Sequence, residues 1–157
     1  MDAVLAQIGA AFAAAPRPPD DALLHERCYD DNDIAALYRV AHWRDLGDEI
    51  VEREYAALSF LSPDGFRHFI AAYMGFALRH LRTGAAAVDS TIWALSPDVN
   101  RTEELREFAR SKLAGFDAAQ RAAAVAFLQT VRDRDAGRAA DAERALAWWS
   151  APPDVRG

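Results

Sequence analysis

Between Ser62 and Gly84 the apolar residues Phe66, Phe69, Ile70, Tyr73, Met74, Ala77 and Leu81 recur at three- and four-residue steps, the spacing of one stripe on an α-helix. Phe76 and Leu78 flank the stripe, so the apolar arc covers about half the circumference or more, and the pattern predicts a helix enclosed on most sides. His68, Gly75, Arg79 and Arg82 share the narrow face that remains. The start is marked by Ser62-Pro63-Asp64: a capping hydroxyl, a proline at the first helical position and an acid in the first turn. Arg79, His80 and Arg82 suit the carbonyl end of the helix, and Gly84 is placed to take a left-handed cap.

The same reading yields weaker helices on either side. Val4, Leu5, Ile8, Ala11, Phe12 and Ala15 form an amphipathic face that Pro16 ends. The stretch from Asp20 to Asp33 is irregular and carries six acids against Arg27. Asp33 caps an expected helix from Ile34 to about Ala41, and a further one runs from about Asp45 to Leu58 with Leu46, Ile50, Val51, Tyr55 and Leu58 inward. Beyond Gly84, Asp89 opens a short helix through Ile92, Trp93 and Leu95. Thr102 opens one with Leu105, Phe108, Ala109 and Leu113 inward, ending at Gly115. Asp117-Ala118-Ala119-Gln120 has the form of a capping box and leads a helix burying Ala124, Val125, Leu128 and Val131. A last helix carries Ala142, Ala145, Leu146 and Trp149 after the mixed-sign run Arg132 to Asp135. Alternating strand patterns are nearly absent. The expected fold is all-α: a single domain spanning residues 1–157, a bundle of six to eight helices around a buried central helix at about 63–83.

Composition narrows the function classes without naming one. A chain that is 52% hydrophobic and 27% charged can build a core of useful size. Its net charge of −6, with no basic stripe, argues against nucleic acid as a partner. The longest uncharged run, Ala3 to Pro16, is too short to cross a bilayer, and Asp2 stands where a signal peptide would carry a base. Cys28 is the single cysteine, so a reducing, cytoplasmic setting is the default expectation.

Several stretches together carry a family resemblance. Ala11-Phe12-Ala13 precedes a proline-aspartate run; then come Leu58-Ser59-Phe60-Leu61-Ser62-Pro63-Asp64-Gly65-Phe66 with Phe69 and Tyr73, Gln120 with Phe127-Leu128, and Ala145-Leu146 before Trp148-Trp149. With these the chain resembles a bacterial family of small stand-alone proteins of unknown function. The resemblance implies no activity and no catalytic residue. At Ile70-Ala71-Ala72-Tyr73 the chain departs from the family pattern, which has a proline before the alanine and tyrosine, so no kink is implied there.

Candidate chemistry is sparse. His25 and Cys28 have the spacing of half a metal site, but no second Cys/His pair follows, and the run Asp30 to Asp33 lacks the glycine and glutamate of a calcium loop. Asp45, Asp48, Glu49 and Glu52 have helix-neighbour spacing without the Glu-x-x-His of a di-metal bundle. No cofactor or metal is therefore expected. Nucleophile-elbow and phosphate-loop motifs are missing as well, which leans the reading away from an enzyme. Charge is the one functional hint: Asp20 to Asp64 holds twelve acids against four arginines, whereas Gly65 to Lys112 holds seven bases against five acids. The expectation is a protein-binding module whose acidic residues Asp30, Asp31, Asp33, Asp48, Glu49 and Glu52 steer a basic protein partner. The ordinary alternative is that Arg67, Arg79 and Arg82 neutralise those acids within the monomer. The second functional expectation is a small-ligand binder or enzyme with a pocket beside the central helix, lined by Tyr73, Arg79 and His80.

Overall fold

The enclosed helix is Pro63–Arg79, and thirteen of its seventeen residues are buried. The computed structural model describes residues 1–26, 28 and 34–151. Among them eight α-helices follow in order: α1 (Asp2–Ala11), α2 (Asp48–Arg53), α3 (Ala57–Phe60), α4 (Pro63–Arg79), α5 (Ala86–Ala94), α6 (Glu103–Ala114), α7 (Ala118–Arg134) and α8 (Ala139–Ser150). No strand is formed among the described residues; one isolated bridge joins Leu24 to Leu61. Helix α4 packs against α1, α2, α3, α5, α6 and α7, while α8 lies on α7 and α5. Phe116, in the turn after α6, joins the layers: its ring meets Phe12 at 5.4 Å, Phe66 at 6.2 Å and Trp149 at 5.9 Å.

Local signals start α4, α6 and α7 where the sequence places them, but α5 starts at Ala86, three residues before its expected cap Asp89, whose carboxylate accepts from Arg138 instead. Thr102 Oγ1 accepts from the Leu105 amide, and Asp117 and Gln120 form a reciprocal capping box. At α4 the Ser62 hydroxyl oxygen accepts from Gly65 N–H at 3.1 Å while its O–H donates to the Ala22 carbonyl at 2.7 Å. Ser62 N–H also donates to Leu23 O at 2.9 Å, and His25 N–H to Phe60 O at 2.9 Å. Thus the cap of the central helix also fastens the segment 22–25. Gly65 permits that approach, since a Cβ at this position would stand 2.7 Å from the Leu23 carbonyl oxygen.

Other expectations need correction, beginning with α1, which stops at Ala11 and not at Pro16. The helix from Ile34 to Ala41 is replaced by a short 3-10 turn at Leu37–Arg39, and its capping residue Asp33 lies outside the described residues. Side chains take the backbone groups a helix would pair: Arg17 donates to the carbonyls of Val40 (2.9 Å) and Tyr38 (3.3 Å), and Glu54 Oε1 accepts from Ala36 N–H. The helix expected over Asp45 to Leu58 is broken into α2 and α3, because Tyr73 donates its hydroxyl to the Glu54 carbonyl at 2.8 Å. At that break Glu54 turns inward and Tyr55 outward, the reverse of the expected orientation of Tyr55. Leu105 and Trp93 are about half exposed, at 48% and 49%, although their spacing places them with inward residues. Finally, α4 stops at Arg79 with His80 as its cap, and the chain turns on Thr83 Oγ1, which donates to His80 O; Gly84 takes no left-handed cap.

His68 falls on the face of α4 that sequence spacing leaves polar, yet it is 1% exposed. The Trp43–Asp45 turn and the end of α1 cover it. Its Nε2 accepts from Trp43 N–H at 3.1 Å, which fixes the proton on Nδ1, and Nδ1–H donates to Ala15 O at 2.8 Å. Trp43 Nε1–H in turn donates to Phe12 O at 3.0 Å. Burial disfavours the imidazolium and lowers the pKa of His68 below its ordinary 6.5.

Two outcomes follow for stability. Gly65→Ala should destabilise by about 1–3 kcal/mol through overpacking against Leu23, whereas Gly9→Ala, at a position with nothing within 4 Å, should stabilise by roughly 0.5–1 kcal/mol in urea unfolding. Because the folded protein holds His68 neutral while the unfolded chain protonates near 6.5, unfolding takes up a proton below that pH. The urea midpoint should therefore fall as pH drops from about 7 to 5, and His68→Gln should flatten that dependence.

Candidate functional site

Helix α6 leaves part of its apolar stripe uncovered. Leu113 is buried, Phe108 partly so and Leu105 half exposed. Opposite them run the segment around His25, fastened by the Ser62 cap, and the end of α3. The result is an open groove of about 630 Å³, lined by His25, Glu26, Cys28, Ser59, Phe60, Glu104, Leu105, Glu107, Phe108 and Ser111. Phe60, Leu105 and Phe108 supply its apolar surface, and Glu26, Glu104 and Glu107 its carboxylates.

Phe108 is held between two polar groups. The His25 ring lies 4.0 Å from it, centroid to centroid, and Lys112 Nζ lies 4.1 Å from the ring centre. Lys112, the only lysine in the chain, is 5% exposed. Its ammonium donates to Leu58 O at 2.8 Å and Ser59 O at 3.1 Å, capping the carbonyl end of α3. Burial pulls its pKa down to about 7, with the nearby Cys28 acting in the opposite direction. Lysine buried on an otherwise apolar helix face is the sequence signal for this site that periodicity alone passes over.

The residues singled out by sequence are distributed as follows. Asp30, Asp31 and Asp33 lie outside the described residues. Glu49 and Glu52 are exposed on α2. Asp48, at the start of α2, accepts from Arg79 through both oxygens, one contact being 3.3 Å from Nε, and from His80 Nε2–H at 2.9 Å. The Arg79 guanidinium lowers the Asp48 carboxyl below its usual range, with His80 assisting. An ionised carboxylate only accepts, so His80 carries its proton on Nε2. Its ring stacks on Phe76 at 4.3 Å. One member of the acidic set and two of the pocket set therefore form a single ion cluster within the monomer. Tyr73 stands about 10 Å away along the helix axis, wholly buried, with its hydroxyl engaged by Glu54 and its pKa raised by burial. Tyr73 is thus not brought together with Arg79 and His80.

His25 and Cys28 share the groove, but among the described residues no three His, Cys, Asp or Glu side chains cluster closely enough to hold a metal ion. No helix among the described residues is long and apolar enough to cross a membrane. A family model described as a family of unknown function, DUF6714, matches residues 1–152. No curated protein and no solved structure matches the chain.

Lys112, against the Phe108 ring that lines the groove, makes folding sensitive to alkaline pH. Between about 7 and its ordinary 10.5 the unfolded chain binds a proton that the folded protein does not, so folding stability should rise across that window. Urea midpoints at pH 7, 8.5 and 10 should increase for the natural sequence and lose that increment in Lys112→Met, whatever the variant's absolute stability.

Proposed function

The chain belongs to this family of unknown function, DUF6714, and for it we propose a protein-binding role, in which the groove between α3 and α6 receives a partner segment bearing basic and apolar side chains. The observation that carries this reading is the groove itself. Leu105 remains half exposed beside Phe60 and Phe108, and carboxylates of Glu26, Glu104 and Glu107 border the same surface. Apolar anchors in a concave surface supply affinity, and a rim of one charge sign speeds encounter with the opposite sign. The chain also runs from Cys28, in the groove lining, directly into Asp30, Asp31 and Asp33, which extends the acidic character in sequence.

This reading relocates the steering surface. Asp48 is engaged by Arg79 and His80 and contributes less to an external field, whereas Glu49 and Glu52 remain exposed. A pocket beside the central helix is the second reading, favoured by Arg79, which borders cavities of about 330 Å³ and 260 Å³ on that side.

A peptide library displayed on phage and selected on the immobilised protein tests the first reading. Enriched sequences should combine Arg or Lys with Leu, Phe or similar side chains. For a synthetic copy of the best peptide, Leu105→Ser should weaken binding about tenfold, mainly through faster dissociation. Glu104→Gln with Glu107→Gln should slow association and reduce its salt dependence, with little change in dissociation. Failure to enrich any peptide, or equal binding by the Leu105→Ser protein, would overturn the assignment of this groove.

A further inference from the structure

A second cavity, of about 260 Å³, lies at the opposite chemical extreme from the groove. Leu78, Arg79, Arg82 and Thr83 contribute from the end of α4 and the turn after it, Arg134 from the end of α7, and the start of α1 completes it. Three arginines line one small space and no acidic residue lines it. In a chain of net charge −6 this is a local reversal of sign.

The commitments of these groups differ. Arg79 is bound to Asp48. Arg82 and Arg134 are exposed and make no hydrogen bond or ion pair among the described residues. Of the acids close by in sequence, Asp133 is engaged by Arg132, and Asp89 and Asp135 by Arg138; Asp2, next to Met1 at the start of α1, is exposed and does not line the cavity. The carbonyls that would otherwise draw arginine at a helix end are engaged too. Arg138 donates to Leu81 O at 2.9 Å and to Thr83 O at 3.3 Å, and Thr83 donates to His80 O. Two uncommitted arginines that line one space repel each other, and a dianion between them offsets that cost.

From this geometry we infer that the cavity between the ends of α4 and α7 binds a phosphoryl group, with Arg82 and Arg134 as its ligands beside the Asp48-bound Arg79. Two guanidinium forks match a tetrahedral oxyanion that carries close to two charges at neutral pH, and each fork offers paired N–H donors to its oxygens. Arg82 and Arg134 play no part in the groove between α3 and α6, so this site stands independently of the protein-binding role.

The test uses inorganic phosphate and phenyl phosphate, titrated calorimetrically at pH 7.5 and constant ionic strength, with malonate and acetate as the carboxylate arms. Saturable uptake of one phosphate per chain and a raised melting temperature are expected. Arg82→Gln and Arg134→Gln should each weaken binding about tenfold. Arg82→Lys should recover only part of the loss, because an ammonium lacks the fork. Arg101→Gln, an exposed arginine outside the cavity, should leave binding unchanged, and so should Leu105→Ser, which reports on the groove alone. Melting curves without ligand verify that each variant folds. No saturable phosphate binding at tens of millimolar, or binding by Arg82→Gln and Arg134→Gln as tight as by the natural sequence, would overturn the site. Malonate binding as tightly as phosphate would overturn its phosphoryl character. Loss of melting temperature in the arginine variants with no phosphate binding in the natural sequence would mean that the arginines serve only the helix ends.

Discussion

Enclosing α4 on nearly every side deprives its polar side chains of water, and the way His68 and Tyr73 meet that constraint organises the first third of the chain. An unpaired buried donor or acceptor costs about 1–3 kcal/mol, so each must find a fixed protein partner. His68 finds two, the Trp43 amide and the Ala15 carbonyl; Tyr73 finds the Glu54 carbonyl. All three partners are backbone groups in irregular or interrupted segments. The segments before α4 are therefore positioned by hydrogen bonds to a helix that follows them in sequence, and only secondarily by helical structure of their own.

That arrangement explains which parts of the fold are legible in sequence. Helix α4 announces itself through Ser62, Pro63 and the apolar spacing from Phe66 onward, because its signals are local. The starts of α6 and α7 are legible for the same reason, through Thr102 and the Asp117/Gln120 pair. The stretch 34–60 is not, because Arg17, Glu54 and Tyr73 take backbone groups there from 18 or more residues away. Spacing alone also cannot tell a covered apolar face from an uncovered one: Leu105 and Leu113 share a stripe, yet only Leu113 is buried. The groove draws on three separated stretches, so only Lys112, misplaced on an apolar face, hints at it beforehand.

Charge shows a similar division between what is committed inside the molecule and what faces outward. The acidic half of the sequence supplies Asp48 to Arg79 and His80, and the basic stretch supplies Arg106 and Arg110 to Glu103. These exposed pairs add little stability individually. Beside them stand two small surfaces of different lining, with Glu26, Glu104 and Glu107 around Phe108 and Arg82 and Arg134 beyond Arg79. A net charge of −6 conceals both.

The Ser62 hydroxyl bridges the first turn of α4 and the Ala22 carbonyl, beside backbone bonds from Ser62 to Leu23 and from His25 to Phe60. One wall of the groove is thereby hung on the start of the most buried helix. Backbone opening at residues 22–25 then breaks the same contacts that hold the α3–α4 junction, so stretches some forty positions apart form one unit of local unfolding. In hydrogen-exchange terms, the His25 and Ser62 amides share an opening event.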